Sequence, residues 1–101
     1  TVYLATYGAG AAANAVGGQV FAVNADTGAV NWNFVAPFRE GFQFSDFDSS
    51  VAVGTDGRVY AGSTNGRLYV LNPNGSRSYE ADLLGEIRVT PALGVNNTVY
   101  I

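Results

Sequence analysis

Apolar and polar positions alternate with period two in short runs along the chain, and each run stops at a cluster of Gly, Asn, Asp or Thr. The clearest pair lies in residues 18 to 34, GQVFAVNADTGAVNWNF. Val20 and Ala22 fall on one side of a strand, and Val30, Trp32 and Phe34 on one side of the next. Between them Asp26, Thr27 and Gly28 supply a turn, because Asp and Thr oxygens accept from nearby backbone N–H groups and Gly tolerates positive φ. The hairpin is expected to bury the ring of Trp32, the only tryptophan. No stretch of ten residues carries helical periodicity.

The pattern repeats. SVAVGTDGRVYAG at residues 50–62 aligns with TPALGVNNTVYI at 90–101, pairing Val53 with Leu93, Gly54 with Gly94, Val59 with Val99 and Tyr60 with Tyr100, always 40 residues apart. TVYLAT at 1–6 aligns with RVYAGS at 58–63 at an offset of 57, so the earlier repeat carries insertions. A period near 40 residues, cut into four short strands by turn residues, is the length of one β-propeller blade. With the strands of a blade lettered a to d, the chain reads b at 1–7, c at 18–24 and d at 29–35. It continues with a at 50–54, b at 58–63, c at 67–72, d at 76–82, a again at 88–94, and the opening of another b at 98–101.

The fold class expected is therefore all-β, made of four-stranded antiparallel blades. One partial propeller domain spans residues 1–101: blade 1 at about 1–35, blade 2 at about 50–82 and the start of blade 3 at about 88–101. The turns TDG (55–57), TNG (64–66), NPNG (72–75) and the pair Asn96-Asn97 mark the boundaries. About two blades cannot close a ring, and each open end would leave several apolar side chains uncovered, at roughly 1.5 to 3 kcal/mol each. Further blades of the same chain, or association with copies of itself, are expected to cover them. Strand-like residues at both ends read as an excerpt from a longer protein.

Ala22, Asn24, Thr27, Gly28 and Trp32 stand at the spacing A-x-N-x-x-T-G-x-x-x-W. This resembles the repeat of quinoprotein-type (PQQ-like) β-propellers, usually written with Asp where this chain has Asn24. The resemblance implies that Trp32 docks one blade on its neighbour. In the second hairpin Asn72, Gly75 and Tyr79 take the places of Asn24, Gly28 and Trp32, one turn residue shorter, and are expected at an equivalent buried junction.

Charge narrows the function classes. Eight carboxylates against five arginines and no lysine give a net charge of −3, and no basic cluster suits nucleic acid. No apolar run approaches the length of a membrane-spanning helix. Without cysteine or histidine the chain offers no thiolate or imidazole metal ligand and no His-based triad.

Two connections are longer than their counterparts in the following repeat: YGAGAAANAVGG at 7–18 between b and c, and APFREGFQFSDFD at 36–48 between d and a. Because successive strands run antiparallel, both are expected on one face. Tyr7, Asn14, Phe38, Arg39, Glu40, Phe42 and Phe44 then form a candidate ligand face, with aromatic rings for contact area and charged groups for direction. The alternative is that Phe42, Phe44 and Phe47 only close the loop over the blade. Asp46 and Asp48 are weak candidates for calcium, lacking a twelve-residue ligand loop. The glycines of the first connection match no phosphate-binding pattern.

The resemblance implies a non-catalytic, extracytoplasmic module (periplasmic, secreted or on the cell surface) that binds a protein or glycan. The repeat is common in such propellers, including a bacterial outer-membrane assembly lipoprotein. The other class it implies is a quinone-dependent dehydrogenase with its catalytic residues outside this segment. PQQ and calcium enter only in that case, and the adjacent cysteine pair of such enzymes is absent.

Overall fold

A computed structural model describes residues 1–8, 17–41, 45–95 and 98–101. Nine strands are present among them: β1 (Val2–Ala5), β2 (Gln19–Val23), β3 (Val30–Val35), β4 (Ala52–Val53), β5 (Val59–Gly62), β6 (Arg67–Leu71), β7 (Arg77–Asp82), β8 (Ala92–Leu93) and β9 (Val99–Tyr100). They form three antiparallel sheets in sequence order, β1-β2-β3, β4-β5-β6-β7 and β8-β9. This all-β arrangement, one complete four-stranded blade between two incomplete ones, is that of a partial β-propeller.

The middle sheet carries the core on both sides. Val59, Ala61, Tyr69 and Leu71 project from one face and pack with Val20, Ala36 and Phe47, joined by Tyr3, Trp32 and Phe34. Tyr60, Leu68 and Val70 project from the other face and pack with Ile87, Ala52, Ala81 and Val99. The two sets alternate along β5 and β6, so these strands are buried on both sides while β3 and β7 are largely exposed.

The strand expected at 50–54 is paired only at Ala52–Val53, and that at 88–94 only at Ala92–Leu93. The preceding backbone is engaged elsewhere. Phe47 N–H donates to Thr6 O of β1's end (3.3 Å), and Ile87 N–H donates to Ser63 O of β5's end (3.1 Å). Phe47 and Ile87, 40 residues apart, are each 3% exposed. Each blade's incoming segment thus closes the end of the previous blade's b strand before its own ladder begins.

The two c–d hairpins share one register, with Ala22 opposite Trp32, Val70 opposite Tyr79, and a bulge one residue later in each. The capping at the first turn differs from the expectation. Asn24 Oδ1, and not the Asp26 carboxylate, accepts from Asp26 N–H (2.9 Å) and Thr27 N–H (3.1 Å), while Thr27 Oγ1 accepts from Ala29 N–H (3.3 Å). Asn24 sits at the start of the turn, where a short side chain reaches forward over two residues. Gly28 and Gly75 close the turns at φ 77° and 89°.

Candidate functional site

Trp32 spans two sheets. Its Nε1–H donates to Pro73 O at 2.9 Å, and its ring lies over Gly75, where an added Cβ would sit 2.6 Å from Trp32 Cγ. Tyr3 flanks the indole at 5.9 Å between ring centroids. The ring is half-buried and belongs to the junction between blades. Tyr79, expected at an equivalent junction, is 45% exposed. Its register is that of Trp32, and the described residues include no c–d turn after β9 that would correspond to the one covering Trp32.

The described ends of the two long connections meet. Gly18 N–H donates to Ser45 O (2.6 Å), Ala36 N–H to Gly18 O (2.8 Å), and Gly8 N–H to Asp46 Oδ1 (2.5 Å). Neither Gly17 nor Gly18 has room for a side chain, since a Cβ on Gly18 would lie 2.7 Å from Phe47 N. Asn14, Phe42 and Phe44 lie outside the described residues.

Tyr7 and Arg39 go to different partners. Tyr7 O–H donates to Asp48 Oδ1 at 2.5 Å, and Arg88 donates from Nη1 to Asp48 Oδ2 at 2.6 Å and from Nη2 to Glu86 at 2.9 Å. Asp48 and Arg88 occupy the same position in successive repeats, so this ion pair is a contact between blades. Hydrogen bonds from Tyr7 and then Arg88 hold the Asp48 carboxyl below the ordinary aspartate range. The same bond to Asp48, with its negative charge, raises the Tyr7 phenol. The Asp48 and Glu86 carboxylates, by hydrogen bonding, raise Arg88.

Arg39 turns toward the second blade. It donates to Asn65 O at 2.8 Å and to Asp82 Oδ2 at 2.6 Å, lowering the Asp82 pKa chiefly through that hydrogen bond. Beneath it, the turn 63–66 is buried, with Ser63 and Asn65 at 0% exposure. Asn65 Nδ2 donates to Tyr69 Oη (2.8 Å) and Pro37 O (3.3 Å), and its Oδ1 accepts from Arg67 N–H (3.1 Å). Thr64 N–H donates to Asp46 O and Asp46 N–H to Thr64 Oγ1, both at 2.9 Å. The 36–48 connection therefore clasps the next blade's b–c turn, a role that loop length does not announce. An isolated TNG triplet reads as an exposed turn, and only the excess of polar groups beyond need hints otherwise.

Phe38 is 69% exposed and Tyr7 67%, and Glu40 is also exposed. Asp46 and Asp48 face hydrogen-bond donors, the Arg88 guanidinium among them, which is an environment suited to carboxylates and unfavourable to a cation. No cluster of three or more His, Cys, Asp or Glu occurs among the described residues. A cleft of about 420 Å³ runs between β1 and residues 47–51, bounded by Tyr3, Ala5, Tyr7, Phe47, Ser49 and Val51. A second, of about 280 Å³, is bounded by Gly54–Asp56 on one side and Leu93, Gly94, Thr98 and Val99 on the other.

No helix among the described residues is long and apolar enough to cross a membrane. The chain has no match among curated proteins. Residues 50–71, which run from the approach to β4 through β6 of the complete blade, are similar to the family model described as strictosidine synthase-like, N-terminal, a β-propeller family.

Proposed function

We propose that this chain is a non-catalytic propeller module, of the PQQ-like repeat type, that binds a protein or glycan through the face carrying its two long connections. The observation that carries this reading is the hydrogen-bonded meeting of those connections at Gly8–Asp46 and Gly18–Ser45, with Tyr7 on the first and Phe38 on the second both exposed. Rings fixed on a rigid blade offer contact area at low entropic cost, and Glu40 and the Arg39–Asp82 pair add directed polar contacts. Asn14, Phe42 and Phe44 extend the proposed face by their sequence positions. An extracytoplasmic location follows from the repeat resemblance and belongs to the same proposal. The family similarity over 50–71 supports the propeller and lies outside the two connections.

A test is to titrate the protein with defined soluble oligosaccharides and with extended peptides, following backbone amide shifts. Shifts confined to residues 6–8, 36–41 and 45–48, with at least about ten-fold weaker binding in Phe38→Ala, are expected; ten-fold corresponds to about 1.4 kcal/mol. Shifts centred on Gly54–Asp56 and Gly94, or none with either class, would overturn the reading. Calcium and PQQ added to the protein, if followed by dye-linked alcohol oxidation, would replace it with the dehydrogenase reading.

A further inference from the structure

Two Asn-Gly steps occur in the chain, Asn65-Gly66 and Asn74-Gly75, and the fold gives both the same turn. Gly66 N–H donates to Ser63 O at 3.1 Å and Gly75 N–H to Asn72 O at 2.9 Å, with the glycines at φ 83° and 89°. Each asparagine Oδ1 accepts from the N–H two residues on, at 3.1 and 3.0 Å. A glycine that follows asparagine carries no side chain to shield its nitrogen, so that nitrogen is able to reach the amide carbon of the asparagine. The surroundings of the two turns are what differ.

Asn65 is sealed in. It is fully buried, its Nδ2 donates to Tyr69 Oη and Pro37 O, and Gly66 O accepts from Leu83 N–H at 2.8 Å. Asn74 is exposed, and its Nδ2 donates to no acceptor among the described residues. Its Oδ1 accepts twice from Ser76, from the N–H at 3.0 Å and from Oγ–H at 2.6 Å. Asn72 Nδ2 donates to Ser76 Oγ at 3.1 Å, which leaves the hydroxyl proton free to face Asn74. Two donors aimed at one carbonyl oxygen stabilise the negative charge that collects there when a nucleophile adds to the carbon.

We propose that Asn74-Gly75 is a self-modifying site, at which Asn74 converts in water to aspartate and isoaspartate, and that the isoaspartyl form releases Trp32 from the junction between blades. Gly75 N gives up its bond to Asn72 O and its proton to hydroxide, then attacks Asn74 Cγ. The Cγ–Nδ2 bond breaks, a proton returns to the departing nitrogen, ammonia leaves and a cyclic imide remains. Water opens the imide at either carbonyl: at Cγ it yields aspartate, and at the main-chain carbon it yields isoaspartate, with the chain then running through Cβ and Cγ. Nothing is oxidised or reduced, and either product adds one negative charge.

The two products act differently on the junction. Asp56 already stands at the third position of the same turn, with Gly57 N–H on Gly54 O and Arg58 N–H on Asp56 Oδ1, both at 3.0 Å, so aspartate at 74 keeps the turn. Isoaspartate inserts an extra main-chain carbon between Pro73 and Gly75. Those are the two residues that hold the indole, Pro73 O by its hydrogen bond and Gly75 by lying under the ring, and their spacing no longer fits it.

The test is incubation of the protein at mildly alkaline pH, followed by peptide mapping in a mass spectrometer and by enzymatic methylation of isoaspartyl groups. Conversion at Asn74 should run at least about ten-fold faster than at Asn65, a ratio that measures the difference in barrier the fold imposes. In urea the two rates should converge. Ser76→Ala, with an unchanged circular dichroism spectrum, should slow conversion at Asn74 by about five-fold, the effect of one net hydrogen bond. In proton NMR the aged protein should show a second indole Nε1–H signal that exchanges quickly with solvent and grows with the isoaspartyl content, while Asn74→Asp retains the slowly exchanging signal alone. Equal rates at Asn65 and Asn74 in the folded protein, a ratio that persists in urea, or an unchanged rate in folded Ser76→Ala would overturn the assignment of the site. Isoaspartate at 74 with the indole signal unmoved would overturn its effect on the junction.

Discussion

Trp32 and Tyr79 hold the same place in two consecutive hairpins and live in different surroundings. Each stands across from a small or β-branched residue of strand c, one position before a bulge. Trp32 is bonded to Pro73 and laid over Gly75, while Tyr79 is 45% exposed. The comparison separates two things that a repeat motif merges. Position within the blade is encoded locally, by alternation and by the turn. Burial is decided by whether the neighbouring sheet brings a turn to the ring.

The widest separation between the two is expected on truncation. Trp32→Ala should cost about 2 to 4 kcal/mol, toward the low side of the range for a large ring because the indole is only half-buried. Tyr79→Ala, in dilute protein, should stay within about 0.5 kcal/mol. Urea unfolding of both variants measures the difference, and equal losses would break the contrast.

A second pair sharpens it with polar groups. Asn65 and Asp56 each accept from the N–H two residues on, at 3.1 and 3.0 Å, so their local turn chemistry is the same. Asn65 is fully buried and also donates to Tyr69 and Pro37, whereas Asp56 is exposed. Asn65→Ala should cost about 1 to 3 kcal/mol by stranding buried partners, and Asp56→Ala at most about 1.

The glycines give a smaller contrast. Ala at Gly28 or Gly75 meets the left-handed backbone penalty of roughly 1 to 2 kcal/mol. At Gly75 it must also displace the Trp32 ring, so thermal unfolding should show an additional loss of about 1 kcal/mol there and none at Gly28.

Acid should act on the blade contacts last and least. Asp48 and Asp82 have folded pKa values below the ordinary one, so the unfolded chain binds more protons as pH falls. Their contribution is present above the ordinary aspartate range and is lost as pH drops through the depressed folded values. Tyr7 has the opposite sense: its raised pKa gives a contribution held below the ordinary tyrosine value and lost as pH rises through the folded one. Melting temperature should therefore be flat near neutrality and decline slightly at both extremes, and Asp48→Asn should flatten the acid side.

The strands were legible because alternation and turn chemistry act within a few residues. All nine fall inside the segments read from the sequence, and the two a strands are each cut to two residues. The shortening was hidden because it depends on Phe47 and Ile87 bonding the previous blade, a contact across about 41 and 24 residues respectively. Phe47 was visible as an aromatic in a loop, but its partner position is Ile87, and the pair emerges only when the 40-residue offset is carried back from residue 50. Arg39 was visible as a charge on a long connection, yet its bond to a buried turn could not be, since the TNG triplet has the composition of any exposed turn. Tyr7 and Asp48 were each singled out for separate chemistry, and the structure makes them partners of one another.

The account rests on Trp32 joining two successive blades, and the chain has a single tryptophan, so one indole signal reports on it without ambiguity. In proton NMR the indole Nε1–H should show Overhauser contacts to Pro73 and Gly75 and exchange slowly with solvent, as its bond to Pro73 O requires. An indole proton that exchanges freely and shows contacts only to residues 20–35 would contradict it.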